Sequence, residues 1–102
     1  YTTLFRSVPT GYPAPITDVL TVAANISAPS LALRANGSQV ASSSATQGTG
    51  NYGNYPAYFY ARAGASYFFS GHDYGSICRG AASTAGEITS AETWINNRTK
   101  AY

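Results

Sequence analysis

The chain has 102 residues, 44% hydrophobic, 10% charged and with a formal net charge of +2. That length allows one domain near the small end for a self-sufficient core. Abundant aromatics and a small net charge exclude a disordered chain, so solubility rests on Ser, Thr, Asn, Gly and Tyr.

Residues 1–17 hold prolines at 9, 13 and 15. A short strand at Tyr1–Arg6 is compatible with this stretch; the rest reads as a loop-rich lead-in, because Pro13 and Pro15 bar a central strand. Residues 18–82 read as strands. In DVLTVAANIS, Leu20, Val22, Ala24 and Ile26 share one parity, which predicts a half-buried strand with that face inward. Ala28-Pro29-Ser30 breaks it. Asn36-Gly37 is the strongest hairpin signal, since a type I′ turn needs positive φ at both central residues. Its arms are Leu31–Ala35 and Ser38–Ser43, with Leu31 and Leu33 on one face and Arg34 on the other.

Ala45–Asn54 is a polar, glycine-rich loop. Tyr55–Arg62 follows as a strand entered at Pro56, and its aromatic ladder (Tyr55, Tyr58, Phe59, Tyr60) is expected mainly in the core. Tyr67–Phe69 leads to a turn at Ser70-Gly71, and His72–Arg79 is a further strand. The period then changes. Thr84 and Glu87 have capping-box spacing, and Ile88, Ala91, Trp94 and Ile95 recur at helical spacing. This predicts an amphipathic helix over Ala85–Arg98, in a C-terminal unit 84–99, with Trp94 anchored in a core. The fold class is mainly β: an antiparallel β-sandwich with one C-terminal helix.

The basic residues are scattered, so a nucleic-acid groove is not expected. No apolar run approaches the ~20 residues that span a bilayer as a helix, and no membrane insertion is expected. Cys78 is the only cysteine and is expected to be a small buried hydrophobe. Asn25, Asn36 and Asn97 each open a glycosylation sequon, and the turn is the better account of Asn36. A first residue of Tyr rather than Met leads to the expectation of a longer parent polypeptide.

The strings ANGSQVASSSATQGTGNYGNYPAYFYARAG and YFFSGHDYGSICRGAAST, followed by the terminal helix, carry a resemblance. From about Thr17 to Tyr102 the chain resembles the C-terminal half of concanavalin A-like lectin/glucanase domains. More narrowly, it is similar to the laminin-G-like jelly rolls of bacteriophage and prophage tail proteins. Members of that group usually carry an apolar residue where Asp73 stands. A complete domain of this kind also needs more strands than this chain supplies. The rest of the sandwich is therefore expected upstream, or neighbouring chains cover its edges.

The resemblance implies a virion protein, extracellular, in a tail or fibre. It does not imply one activity, because the fold hosts lectins, hydrolases and inert modules. Glycoside hydrolysis needs two carboxyl groups flanking one bond, and Asp18, Asp73, Glu87 and Glu92 do not pair on any strand, so no enzyme is expected. No cofactor is expected either. Calcium, which related lectins hold, would draw on Asp18, Asn25, Asp73, Asn51 or Asn54, yet no Asp-x-Asp or Asp-x-Asn spacing occurs. Glycan binding needs an aromatic platform and polar hydrogen-bonding groups. Tyr52, Asn54 and Tyr55 in the loop, with Tyr67 and His72 beside the next turn, are the candidate ligand-binding residues. The leading expectation is a non-enzymatic, lectin-like attachment module that recognises host cell-surface glycans, used multivalently as a homo-oligomer. The alternatives are a structural or decoration module contacting other virion subunits, and an accessory carbohydrate-binding module of a secreted bacterial enzyme.

Overall fold

The computed structural model describes residues 16–46, 48–49, 58–59, 61, 65–66 and 68–102. Three antiparallel strands come first: β1 (Leu20–Asn25), β2 (Ser30–Ala35) and β3 (Ser38–Ser43). They form one sheet in the order β1-β2-β3, and α1 (Ala85–Thr99) follows as the helix. The expected order of antiparallel strands followed by one C-terminal helix is therefore what the described residues adopt. The expected strand at Tyr1–Arg6 lies outside them.

The β2–β3 hairpin turns at Asn36 (φ 50°) and Gly37 (φ 79°), the positive-φ pair that the sequence predicts. Its arms match the expected ones to within a residue. A register shift at Leu33/Arg34 moves the pairing from Leu33 with Ala41 to Arg34 with Gln39, leaving Val40 as the extra residue of a bulge. The β1–β2 connection has a different device. The Asn25 side-chain oxygen accepts from the backbone N–H of Ser27 (3.0 Å) and of Ala28 (3.3 Å), and from the Ser27 hydroxyl (2.8 Å). This Asx-type turn reverses the chain over Ile26–Pro29, so the predicted 18–27 strand stops at Asn25.

One expectation about β1 is reversed. Leu20 and Val22, on the parity read as inward, are 66% and 60% exposed, while Thr21, Ala23 and Asn25 are half-buried. The reason lies in the helix. Thr21 pairs with Arg34 across the ladder, and Arg34 forms an ion pair with Glu92 of α1. The helix therefore lies over the Thr21/Arg34 face; on the other face Leu20 and Val22 of β1 stay exposed, while Leu31 and Ala35 of β2 are buried. The described core is small: Val19, Leu31 and Ala35 are buried.

α1 begins as predicted. The Thr84 hydroxyl accepts from the Glu87 N–H (3.3 Å), and the Glu87 carboxylate accepts from the Thr84 N–H (2.8 Å). It ends at Lys100, whose left-handed backbone (φ 52°) returns an N–H to the Asn96 carbonyl at 2.7 Å. The Asn96 side chain then grips Tyr102 twice, donating to its carbonyl (2.6 Å) and accepting from its N–H (3.0 Å). This carries the Tyr102 ring to the hairpin turn, where its hydroxyl would lie 3.3 Å from a Cβ built on Gly37. Gly37 thus supplies both the positive φ and the room for that approach.

Four further expectations need correction. Trp94 is not a core anchor: it is 49% exposed, with the Arg98 guanidinium 3.6 Å from its ring centroid. Instead Glu92 faces inward, with Ile88, Ala91 and Ile95 half-buried around it. His72–Arg79 is also not a strand. Asp73 accepts from the Gly75 N–H (2.9 Å) and the Ser76 hydroxyl (2.9 Å), and such local bonds compete with ladder pairing. With no sheet there to bury it, Cys78 is exposed rather than buried. The described residues of the expected Tyr55–Arg62 strand (Tyr58, Phe59 and Ala61) are likewise outside any strand, and both aromatics are exposed rather than in the core.

Candidate functional site

Of the expected ligand-binding residues, Tyr52, Asn54, Tyr55 and Tyr67 lie outside the described residues, and His72 lies within them. His72 is exposed. Its ring centroid stands 6.3 Å from that of Tyr74, with the planes tilted by 42°. Tyr74 is 70% exposed and was not among the expected site residues. Its signal was its parity with His72: residues two apart in an extended chain present their side chains on one side. Between them Asp73 folds back onto Gly75 and Ser76, which fixes the local path of the chain.

More apolar surface lies beside this pair in sequence. Phe68, Phe69 and Ile77 are all exposed. The Phe69 ring occupies the space that a side chain at Gly71 would fill, since a Cβ there would meet Phe69 Cζ at 2.5 Å. Glycine at 71 therefore permits that ring position. Segment 68–77 thus presents aromatic faces to solvent next to polar groups, the combination a sugar ring or a protein partner uses.

The four carboxylates of the chain are all engaged in local or packing bonds. Asp18 accepts from the Asn36 side-chain amide at 2.7 Å. Asp73 closes its turn, Glu87 caps α1 and pairs with Arg79 at 2.7 Å, and Glu92 pairs with Arg34 at 2.7 Å. Backbone N–H donation by Thr84, then Arg79 and the Thr84 hydroxyl, hold Glu87 down to about 2. Hydrogen bonding from Arg34 lowers Glu92 against the opposing effect of its burial, and the same contact raises Arg34.

Among the described residues, no three of His, Cys, Asp and Glu gather as a metal-binding group. Of the residues considered as calcium donors, Asp18, Asn25 and Asp73 each serve a turn or strand end, and Asn51 and Asn54 lie outside the described residues. No helix among the described residues is long and apolar enough to cross a membrane. No family model matches the chain, and comparison with curated proteins and with solved structures finds no similar protein.

Proposed function

We propose that this chain is a non-enzymatic, lectin-like attachment module of a phage tail or fibre, binding host cell-surface glycans from the surface of the virion. The observation that carries the reading is the exposed His72/Tyr74 ring pair with Phe68 and Phe69 nearby in sequence. Aromatic faces left in water are what pyranose rings stack on, and the imidazole supplies a hydrogen-bonding edge. Engagement of all four carboxylates in structural bonds supports a binding role over hydrolysis, which needs a pair facing a common substrate. Single sites of this kind bind weakly, and arraying them in a homo-oligomer raises avidity through effective concentration.

The test is a glycan array and a host-cell binding assay with the chain displayed multivalently, beside His72→Ala/Tyr74→Ala. Both proteins are first matched by circular dichroism. Binding that is lost in the folded double variant supports attachment through this segment. A folded, multivalent wild-type chain that binds no glycan and no cell overturns it.

A second reading has its own observation. The bare face of β1, with Leu20 and Val22 in solvent, favours an assembly role in which this sheet is part of a larger concanavalin A-like sandwich or meets another virion subunit.

A further inference from the structure

The turn residue Asn36 does more than supply a positive φ. Its backbone N–H donates to the Val19 carbonyl (2.9 Å), and its side-chain oxygen accepts from the Val19 N–H (2.9 Å). Its side-chain nitrogen donates to Asp18 Oδ1 (2.7 Å). One amide group thus pins the approach to β1 against the β2–β3 turn. The same turn also receives Arg34, which donates to the Gly37 carbonyl while paired with Glu92, and the Tyr102 ring lies over Gly37. Strand, helix and C-terminal segment all meet there.

Asn36-Gly37 is also the one Asn-Gly step in the chain. With no Cβ on glycine, its backbone nitrogen is the least hindered nucleophile an asparagine side chain can face. We propose that Asn36 is a deamidation site that the folded sheet holds shut, and that opening of the β1 end releases it to an irreversible reaction which then keeps β1 from closing.

The chemistry balances with water as the only co-reactant. The Gly37 nitrogen loses its proton and bonds to Asn36 Cγ. The Cγ–Nδ2 bond breaks, and ammonia leaves with the proton. Water then opens the five-membered imide at either carbonyl, leaving aspartate or isoaspartate. In the folded hairpin, the bonds to Val19 and Asp18 direct the Asn36 amide toward β1, and swinging it over the Gly37 nitrogen breaks both. Reaction therefore passes through the open form and scales with its population. The product cannot restore the old contact. A carboxylate at position 36 has no proton to donate to Asp18, so two like charges replace a donor–acceptor pair in a half-buried site. The isoaspartate form also adds a backbone carbon and spoils the turn.

The experiment incubates the whole chain in mildly alkaline buffer, folded in one arm and unfolded in urea in the other. Peptide mapping by mass spectrometry then follows position 36. The expected result is conversion at Asn36 at least ~tenfold slower in the folded arm. Equal rates in the two arms overturn the proposal. A second arm measures folding of Asn36→Asp, alone and with Asp18→Asn, which returns an amide donor opposite the new carboxylate. Asn36→Asp is expected to lower the folded-to-unfolded ratio by about tenfold or more, with the double variant recovering most of it. An Asn36→Asp chain as stable as the parent, or a double variant that recovers nothing, overturns the claim that the product holds β1 open.

Discussion

Glu92 and Trp94 flank Thr93 on α1, and two helical steps of ~100° set them on opposite sides of the helix. Residue type alone would bury the tryptophan and expose the glutamate. The fold does the reverse, because Arg34 projects from the sheet and the Glu92 carboxylate pairs with it. Glu92 is 3% exposed, and its carboxylate holds Arg34 through Nε at 2.7 Å and a second guanidinium nitrogen at 3.0 Å. Trp94→Ala should therefore cost less than about 1 kcal/mol, the size of an exposed cation–π contact with Arg98. Glu92→Ala should cost about 2 kcal/mol, since it takes both carboxylate bonds from the half-buried Arg34 guanidinium. Urea denaturation of the two variants checks the ranking, which a buried-tryptophan helix would invert. The pH dependence has a definite sign. Folding depresses the Glu92 carboxyl, so the stabilisation is complete above the ordinary glutamate range. It is lost as pH falls through the lowered value.

At the scale of elements, those whose instructions are local are the ones that formed where their residues pointed. The Asn36-Gly37 turn and the Thr84/Glu87 box each need only a few neighbouring residues and one backbone geometry. Thr84→Ala removes the side-chain acceptor for the Glu87 N–H and should cost about 1 kcal/mol, read as a lower melting temperature and less helix by circular dichroism. Acid should act on the same end. Glu87 is held to about 2, so its bond to the Thr84 N–H persists below the ordinary glutamate range and is lost only as pH approaches that value. The exposed segment His72–Arg79 behaved differently. Its strand-like composition forms no strand among the described residues, and the Asp73 side chain took the backbone N–H that a ladder would use. Strand propensity describes fit to a half-buried pleated surface, and without such a surface it has nothing to express.

For the whole molecule, the asymmetry of the sheet is the consequential feature. One face receives α1 through Arg34 and Glu92, and the other leaves Leu20 and Val22 in water at the β1 edge. Under the assembly reading this face is covered by further sheet or by another copy. The chain should then self-associate with rising concentration in analytical ultracentrifugation, and Leu20→Lys/Val22→Lys should abolish association while leaving the circular dichroism unchanged. A chain that stays monomeric at every concentration removes cover by another copy. The attachment reading does not depend on this face, because its aromatic groups lie in 68–77.

The sequence by itself determined the hairpin at Asn36-Gly37, the strand alternation of Leu31, Leu33 and Arg34, and both the existence and the start of α1. Each is set by backbone geometry over a few consecutive residues. Only the tertiary structure decided which face of β1 is covered, which helix residue is buried, and that Asn36 locks onto Asp18 and Val19. Alternation and helical period define two faces but carry no sign for inside and outside. That sign is set by what packs against the element, and for α1 an arginine and a glutamate 58 residues apart settled it by meeting.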